Sequence, residues 1–322
     1  MLKVKIMQLN QTHKKWLTNT FGPEVRFDEP MARHTSLRVG GPADVYVAPK
    51  VKSNLMLLVR WLRENSLPYF IVGSGTNLLV LDSGIRGVVI SMKHCLKDIQ
   101  HTVLDRKNVL VTAGAAARLN TLCQYATDNG FKGMNFALGI PGSVGGAIVM
   151  NAGTGHGNMA DVITAVMTFS PGGEPARIEK HALQFRYRRL DWKERSELTG
   201  MQTPIILEGE FRLSVADRHA IEKEASALMH KRAAMQPLRQ RSAGCFFKNP
   251  TKGKSAGELI DLAGLKGKRI GDAQVSTTHA NFIVNKNNAT AADILALKDL
   301  IQKAVLRSFN ITLEPEVKIV GT

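Results

Sequence analysis

The sequence predicts an α+β fold. Short β-forming runs alternate with glycine-rich turns between about residues 35 and 211, and two helices are predicted among them. Two longer helical segments follow after residue 211. The chain has 322 residues, of which 44% are hydrophobic and 22% charged. This length and composition indicate a globular protein with two or three domains.

The strands are predicted from short apolar runs bounded by turn residues. These runs are YFIV (69–72), LLVL (78–81), GVVIS (87–91), NVLVTAG (108–114) and PIILEGEF (204–211). The last segment of the chain, ITLEPEVKIVG (311–321), returns to the same β pattern. We therefore expect β-structure at the end of the chain.

Two helices are predicted from apolar residues spaced at i, i+3, i+4 and i+7. The first begins near Ser53 and stops before Pro68. Its apolar face consists of Leu55, Leu58, Val59 and Leu62. The second ends at Asn129-Gly130, a helix-stop signal. Its apolar face consists of Leu119, Leu122, Cys123 and Ala126. Cys123 is therefore expected in the core.

The predicted secondary structure changes after residue 211, from short strands to longer helices. Residues 216–233 form a charged, alanine-rich helical run, and residues 290–309 form another, with Thr290 as the N-cap and Asp293 three positions later. The buried face expected for the last helix consists of Ile294, Leu297, Ile301, Ala304 and Val305. We interpret these residues as part of a hydrophobic core. The change in composition after residue 211 predicts a domain boundary near residue 214.

The chain carries a formal charge of +16, from 43 Lys+Arg and 27 Asp+Glu. A nucleic-acid-binding protein is one interpretation, but the basic residues are scattered and lack interleaved aromatic platforms. A basic surface, or a site for anionic ligands, is the other interpretation.

The cysteines and the amino terminus indicate a cytosolic protein. Cys95, Cys123 and Cys245 are odd in number and widely spaced without a CxxC pair, so neither a disulfide framework nor a cysteine zinc site is supported. No run approaches the roughly 20 apolar residues of a membrane helix. The first residues, MLKVKIMQLNQTHKK, lack the apolar stretch of a signal peptide.

Two glycine-rich segments allow backbone N–H groups to approach a phosphate closely. They are VGSGTNLLV (72–80) and GIPGSVGGA (139–147), which runs on into MNAG (150–153). The first is no dinucleotide fingerprint, because a third glycine is lacking at Leu78 and the following residues resemble a strand. Each segment alone also fits an ordinary pair of tight turns. Convergence of both loops on one anion would explain the two together.

Two later segments are harder to explain as architecture. AGCFFKNP (243–250) places a thiol, a basic group and an amide, Cys245, Lys248 and Asn249, around two aromatic residues. LEPEV (313–317) places Glu314 and Glu316 on one face of an extended segment, so that one carboxylate can face a site. A buried inert cysteine and a solvated carboxylate pair are the alternatives that stay open.

Taken together and in order, these segments resemble the UDP-N-acetylenolpyruvoylglucosamine reductase family, from about Arg33 to Gly321. The motifs are HTSLRVGGPADVYV (34–47), GSGTNLL (73–79), GIPGSVGGAIVMNAG (139–153), FRYRR (185–189), AGCFFKNP, SAGELIDLAGLKG (255–267), THANFIVN (278–285) and LEPEVKIVG (313–321). Eight motifs in register are far more specific than any one of them. The chain resembles the shorter subtype of the family.

The resemblance implies a cytoplasmic flavoenzyme of peptidoglycan precursor synthesis, with FAD as cofactor, NADPH as reductant, UDP-N-acetylmuramate as product and no metal. It also implies a vanillyl-alcohol-oxidase/PCMH-type two-part FAD-binding domain and a third, α+β, substrate-binding domain. The expected domains are residues 1–92, residues 93–213 with 311–322 returning to them, and residues 214–310. No nucleic acid, membrane or obligatory protein partner is implied.

The resemblance also carries site residues onto this sequence. The pyrophosphate of the flavin would be held, largely by backbone donors, by Gly73, Ser74, Gly75, Thr76, Asn77, Gly139, Ile140, Pro141, Gly142, Ser143 and Gly145. The catalytic residues would be Arg188, Cys245 as general acid and Glu316. The substrate-binding residues would be Tyr187, Lys248 and Asn249.

The implied chemistry explains these residue types. Hydride added to the β-carbon of the enolpyruvyl ether leaves negative charge that spreads into the carboxylate, which Arg188 and Glu316 would stabilise. Cys245 would protonate the α-carbon. Serine is more usual at this position in the family, and a thiol, with an unperturbed pKa of about 8.5, is the stronger acid.

Other interpretations stay open at this point. A different FAD-dependent sugar or lactone oxidoreductase of the same fold is one, and a basic nucleic-acid-binding protein is another. Near Asn158 the family more often has an acidic residue, and His156 has no assigned role. His279 and Asn281 belong to a family motif, but a structural turn and a substrate contact are equally good explanations for them.

Overall fold

The computed structural model describes residues 8–170, 174–192 and 203–321, so the first seven residues of the amino-terminal stretch lie outside it. Its helices are α1 (Gln11–Phe21), α2 (Lys52–Glu64), α3 (Leu119–Asp128), α4 (Val144–Val149), α5 (Met159–Val162), α6 (Arg218–Met235), α7 (Ala256–Leu262) and α8 (Ala291–Phe309). Among the described residues, none of these helices combines the length and the apolarity needed to cross a membrane.

The strands are short, as the glycine-rich sequence predicts. In chain order they are β1 (Val25–Pro30), β2 (Pro42–Val47), β3 (Tyr69–Val72), β4 (Leu78–Val80), β5 (Ile85–Ser91), β6 (Ile99–Val103), β7 (Asn108–Gly114), β8 (Phe131–Lys132), β9 (Gly153–Thr154), β10 (Gly157–Asn158), β11 (Ile163–Phe169), β12 (Ala176–Glu179), β13 (Leu183–Arg186), β14 (Arg189–Trp192), β15 (Ile205–Val215), β16 (Arg241–Cys245), β17 (Arg269–Ile270), β18 (Ala273–Val275), β19 (Phe282–Asn285) and β20 (Lys318–Val320).

Three larger sheets organise these strands. One has the order β1-β2-β5-β3, and a second has the order β12-β11-β15-β7-β6 with β8 also on β15. The third has the order β16-β19-β18-β17. Smaller pairs are β9–β10, β13–β14 and the parallel pair β4–β20. Mixed helices and sheets of this kind confirm the α+β prediction.

Contacts divide the chain into two compact units. Unit 1 contains residues 1–26, 45–74 and 87–230, and unit 2 contains residues 27–44, 75–86 and 231–322. The C-terminal segment therefore does not return to residues 93–213 as we expected. β20 pairs instead with β4 in unit 2. A pairing across about 240 residues leaves no trace in local periodicity, which is why the sequence did not reveal it.

The core of unit 1 contains the apolar faces that the sequence predicts for α2 and α3. The four apolar residues of α2 are fully buried, and those of α3 are at most 1% exposed. α3 ends at Asp128, before Gly130, whose φ of +71° lies in the left-handed region that favours glycine. Cys123 is in the core, as predicted.

The core of unit 2 packs α7 and α8 against the sheet of β16 to β19. On α8, Ile294, Leu297, Ile301 and Val305 are fully buried, whereas Ala304 is only partly buried. The predicted capping box is present, because the Thr290 side chain accepts from the N–H of Asp293 and the Asp293 side chain accepts from that of Thr290. α8 is thus defined at its start by the local signals in the sequence.

The predicted β pattern at residues 311–321 is confirmed only in part. Residues 318–320 form β20, and Pro315 makes an isolated bridge to Phe247, but the segment between forms no ladder. Proline has no N–H to donate, so a continuous ladder cannot pass through Pro315.

Asp82 provides a further cap for α8. Its carboxylate oxygens accept hydrogen bonds from the N–H groups of Ala291 (2.8 Å) and Ala292 (2.9 Å), at the first turn of the helix. We expect Asp82→Ala to lower the free energy of unfolding of unit 2 by about 1–2 kcal/mol, the usual value of a lost helix cap. Thermal and urea unfolding measure the change.

Asp299→Ala is the matched control, because Asp299 lies on the exposed side of α8 and pairs with Lys298. An exposed ion pair of this kind contributes less than about 1 kcal/mol. Equal losses in the two variants would contradict a capping role for Asp82.

Candidate active site

The two glycine-rich loops meet within unit 1. A Cβ atom at Gly73 would overlap the hydroxyl oxygen of Ser143, the N-cap residue of α4. Gly145 is equally constrained, since a Cβ there would lie 2.9 Å from the Cβ of Ala115. Glycine at these positions therefore permits the close approach of backbone segments that a phosphate cradle requires.

In unit 2, the loop that continues from Gly75 is held by its carbonyl groups. The N–H of Ser36 donates to the Gly75 oxygen (3.1 Å), and the Ser36 hydroxyl donates to the Thr76 oxygen (3.4 Å). A trans peptide directs its N–H opposite to its carbonyl. The N–H groups of Thr76 and Asn77 therefore point to the side away from Ser36, as in an anion-binding nest.

Gly75 itself admits no side chain. Its φ is +63°, and a Cβ would overlap the carbonyl oxygen of His34. The loop then leads directly into β4, as the sequence predicts. This glycine-rich loop thus lies between β3 and β4. The loop of a dinucleotide-binding domain, in contrast, leads from a strand into a helix.

In the second glycine-rich loop (139–147), several backbone N–H groups already have partners within the protein. Of the residues expected to bind the flavin pyrophosphate in this loop, three have N–H groups that donate to protein acceptors: Gly139 to Asn120 Oδ1, Ile140 to the Ala137 oxygen and Gly145 to the Ala115 oxygen. Pro141 has no N–H at all. Gly142, with a φ of +147°, makes the turn into α4.

Arg188 lies at the tip of the hairpin formed by β13 and β14. It is the second residue of a two-residue turn and adopts a φ of +59°, which is uncommon for a residue with a side chain. Its Nη1 donates to the Gly153 oxygen (3.0 Å), and its guanidinium lies 5.0 Å from the ring centroid of Tyr187. The charge is half-buried and fixed in direction.

The neighbouring arginines differ from Arg188. Arg186 and Arg189 are exposed, and both form ion pairs with Asp191. Arg188 is the member of the FRYRR motif that turns inward. Tyr187, beside it, is 53% exposed.

Asn151 of the MNAG motif supports this hairpin. Its Nδ2 donates to the carbonyl oxygen of Arg186 (3.1 Å), and its Oδ1 accepts from the N–H of Ala160 (3.0 Å). The residue is buried and adopts a φ of +40°. A buried asparagine in a left-handed conformation at this point ties the hairpin to the start of α5.

In unit 2, Cys245 follows a β-bulge. Ser242 lies opposite Val284 and Cys245 opposite Phe282, so β16 contains one extra residue between the two pairs. Gly244, with a φ of +79°, accommodates this residue. Bulges of this type redirect the next side chain. The Cys245 thiol is consequently half-exposed, although it lies at the end of a strand of the core sheet.

The other two cysteines are buried in unit 1. Burial raises the pKa of the Cys95 thiol to about 11 and that of Cys123 to about 12. All three cysteines lie in the described part of the chain, and none forms a disulfide. Cys245 is therefore the thiol whose exposure suits a reaction with a ligand.

The backbone of Phe246 joins the Cys245 segment to the Glu316 segment. Its N–H donates to the Asn281 oxygen (2.7 Å), and its carbonyl accepts from the N–H of Glu316 (2.8 Å). The side chains of Phe246 and Phe247 are each 1% exposed. Two consecutive buried rings fix this segment in the core, which explains the aromatic pair of the AGCFFKNP motif.

The two glutamates of LEPEV have different environments. Glu314 is exposed and forms an ion pair with Lys248 (3.2 Å), whereas Glu316 is half-buried. The Asn77 side chain donates to the carbonyl oxygen of Glu316 (3.3 Å). Glu316 is thus held between the glycine-rich loop on one side and the Cys245 segment on the other.

Lys248 and Asn249 are placed at the surface of unit 2. Lys248 forms an ion pair with Glu314 in an exposed position, and exposed pairs of this kind are weak. The Asn249 oxygen accepts from the N–H of Ala256 (3.0 Å), the first residue of α7. The amide group of Asn249 is therefore oriented by the start of this helix.

The histidines and Asn158 have structural positions. His156 is exposed beside the β9–β10 pair, and Asn158 forms a capping box with Asp161 at the start of α5. Burial and the nearby Lys266 lower the pKa of His279, whose Nδ1 accepts from the N–H of Asn281. Among the described residues, no cluster of three or more His, Cys, Asp or Glu side chains is suited to a metal ion.

No role was predicted for Ser36 and Asn151, and a structural turn and a substrate contact both stayed open for Asn281. In the structure, their side chains bond to backbone groups of Thr76, Arg186 and Phe247, respectively. Each belongs to a motif that was recognised as a whole. Motif membership marks these positions, but only the coordinates show which backbone atoms they hold.

Comparison with known proteins agrees with this description. Residues 43–179 match the family model described as "FAD binding domain", and residues 236–320 match "UDP-N-acetylenolpyruvoylglucosamine reductase, C-terminal domain". The protein is thus an FAD-dependent oxidoreductase, with the PCMH-type FAD-binding domain and the α+β C-terminal domain that we expected.

Whole-chain relatives define the family. The UDP-N-acetylenolpyruvoylglucosamine reductase of Desulfosudis oleivorans is 47% identical over 97% of this chain and 100% of its own length. That of Geobacter metallireducens is 44% identical over 92% of this chain and 94% of its own. The crystal structure of the Thermus caldophilus reductase matches with a TM-score of 0.73, at 34% identity, over 92% of this chain and 98% of that one. The chain belongs to the UDP-N-acetylenolpyruvoylglucosamine reductase family.

The thiol environments predict selective alkylation. Near pH 8, iodoacetamide is expected to modify Cys245 in the native protein and to leave Cys95 and Cys123 unmodified, because the thiolate is the reactive form and raised pKa values keep the buried thiols protonated. Peptide mass spectrometry after a short exposure measures the three sites.

The urea-unfolded protein is the control, and there all three thiols are expected to react. Rapid modification of Cys123 in the native protein would contradict the burial that the structure assigns to it.

Proposed function

We propose that this protein reduces UDP-N-acetylenolpyruvoylglucosamine to UDP-N-acetylmuramate, with NADPH as reductant, in peptidoglycan precursor synthesis. The relatives that cover the whole chain are named for this substrate. The single observation that carries the proposal is the Phe246 backbone. It holds a half-exposed thiol, Cys245, beside a segment with a half-buried carboxylate, Glu316.

The residues of the glycine-rich loops fit FAD. The close approach of Gly73 to Ser143 in unit 1 supports a role in binding the pyrophosphate. We assign the same role to residues 74–77 and 139–145. FAD, when bound, supplies hydride transfer from NADPH to the β-carbon of the enolpyruvyl ether.

Arg188 would bind the carboxylate of the enolpyruvyl group. Negative charge spreads into this carboxylate as the β-carbon accepts hydride, and a guanidinium is permanently protonated with two parallel donors. The hydrogen bond from Nη1 to Gly153 and the fixed hairpin turn orient the cation before the reaction. Orientation in advance is what makes such electrostatic stabilisation effective.

Cys245 would protonate the α-carbon, and Glu316 would assist from the neighbouring segment. A correctly placed proton donor contributes about 10²–10⁴ in rate. The bulge at Gly244 turns the thiol outward, and the bond between Glu316 N–H and the Phe246 oxygen sets the distance between the two segments. Both features support this assignment, because they hold Cys245 and Glu316 on hydrogen-bonded backbone.

The remaining polar residues would serve the nucleotide part of the substrate. Asn249, held at the start of α7, and Lys248 are proposed contacts of the diphosphate and sugar, and Tyr187 is a proposed contact beside Arg188. The formal charge of +16 favours association with polyanionic ligands such as UDP-sugars and NADPH. We propose a cytosolic enzyme that acts on these small molecules without an obligatory protein partner.

An anaerobic spectrum of the purified holoenzyme tests the proposal. NADPH is expected to bleach the visible flavin bands, and UDP-N-acetylenolpyruvoylglucosamine is expected to restore them. Cys245→Ser keeps a hydroxyl donor and is expected to retain substantial restoration. Cys245→Ala has no donor and is expected to slow restoration by about 10²–10⁴ with bleaching unchanged.

Arg188→Ala and Arg186→Ala form a matched pair from one hairpin. Arg188→Ala is expected to slow restoration, whereas Arg186→Ala, which removes an exposed partner of Asp191, is expected to leave it unchanged. Bleaching that the enolpyruvyl sugar does not reverse would contradict the proposed substrate, and absence of flavin bands even after incubation with FAD would contradict the flavoenzyme itself.

A further inference from the structure

We propose that Asn281 is a positioning residue for the proton transfer. It fixes the backbone of Phe246 and Phe247 and thereby aligns Cys245 with Glu316. The inference rests on the proposed function, because the roles of Cys245 and Glu316 belong to it. Asn281 itself contacts backbone atoms of Phe246 and Phe247.

Asn281 makes three hydrogen bonds to two consecutive residues. Its Oδ1 accepts from the N–H of Phe247 (2.9 Å), and its Nδ2 donates to the Phe247 oxygen (2.8 Å). Its own carbonyl accepts from the N–H of Phe246 (2.7 Å). The side chain is 3% exposed, so water cannot replace these bonds. The Asn281 side-chain amide thus pairs with both the N–H and the carbonyl of Phe247, as a residue on a neighbouring β-strand would.

The side-chain amide replaces backbone pairing because the ladder between β16 and β19 ends at Cys245. β16 ends at Cys245, and β19 begins at Phe282, which lies opposite it. The bulge at Gly244 has already shifted the register by one residue. Without the Asn281 amide, the buried N–H and carbonyl of Phe247 would lack these partners, and buried polar groups of the backbone are rarely left unpaired. The side chain therefore decides where Phe247 lies.

Both candidate catalytic groups depend on that position. Cys245 is one peptide away from Phe246, and the Phe246 oxygen accepts from the N–H of Glu316 (2.8 Å). Phe247 also forms the bridge to Pro315, directly before Glu316. A displacement of Phe246-Phe247 consequently moves Cys245 and Glu316 relative to each other. Misplacement by about 1 Å can slow a positioned reaction by roughly 10²-fold.

Asn285, the last residue of β19, provides a matched control four residues further along the chain. It is buried to the same extent, at 4% exposure, and its side chain also bonds to backbone, donating to the Leu37 oxygen and accepting from the N–H of Ala289. None of these bonds involves the segments of Cys245 or Glu316. A loss of general stability should therefore follow from either substitution, and misalignment of the thiol only from substitution of Asn281.

The test compares Asn281→Ala and Asn281→Asp with Asn285→Ala in the FAD-loaded protein. In both Asn281 variants, the rate of flavin bleaching by NADPH is expected within about twofold of wild type. The rate of restoration by the enolpyruvyl sugar is expected to fall by roughly tenfold or more. Asn285→Ala is expected to leave the ratio of the two rates unchanged.

A second readout needs no turnover. The rate of Cys245 alkylation by iodoacetamide is expected to change by at least about threefold in the Asn281 variants and to stay at the wild-type value in Asn285→Ala, since thiol reactivity depends on its surroundings. If Asn281→Ala does not fold, Asn281→Asp still decides the matter. It is isosteric, keeps the acceptor for the Phe247 N–H and replaces the donor to the Phe247 oxygen.

Equal slowing of both half-reactions, or the same alkylation change in Asn285→Ala, would overturn the positioning role. Restoration at the wild-type rate in the Asn281 variants would do so as well. Failure of the proposed function looks different, because wild-type protein itself would then not respond to the enolpyruvyl sugar. The alkylation comparison would still decide whether Asn281 positions Cys245.

Discussion

The candidate catalytic part of unit 2 depends on the two hydrogen bonds of the Phe246 peptide groups. One joins Phe246 to Asn281 at the entry to β19, and the other joins it to Glu316. The buried rings of Phe246 and Phe247 prevent this segment from sliding, because any shift would remove apolar surface from the core. The thiol and the carboxylate are therefore carried by backbone that the hydrophobic core of unit 2 holds in place.

Buried asparagines serve the two units in the same physical way. Asn281 bonds to Phe247, and Asn151 bonds to the carbonyl of Arg186, each where a regular ladder ends and a functional side chain begins. Asn77 bonds to the carbonyl of Glu316 at the glycine-rich loop. An amide side chain carries the same donor and acceptor as a peptide group. It can thus continue the pairing of a strand while the backbone itself turns away to form a site.

The sequence predicted those parts of the fold that depend on local signals. The stripes of α2 and α3 and the capping box of α8 come from spacing within one helix, and each is confirmed. The pairing of β20 with β4 and the bulge at Gly244 were not predicted, because they depend on partners far away in the chain. The candidate site residues came from motifs, which indicate roles but not contacts. The structure adds that Arg188 turns inward while Arg186 and Arg189 pair with Asp191.

The position of deuterium in the product tests the central claim most directly, namely that Cys245 protonates the α-carbon. The wild-type reaction is run with NADPH in D₂O, and the isolated product is analysed by proton NMR. Because a thiol exchanges its proton with solvent, we predict one deuterium at the α-carbon, and we predict that Cys245→Ala forms this product about 10²–10⁴ times more slowly than wild type. No deuterium at the α-carbon, or formation of the α-deuterated product by Cys245→Ala at the wild-type rate, would contradict the role of Cys245.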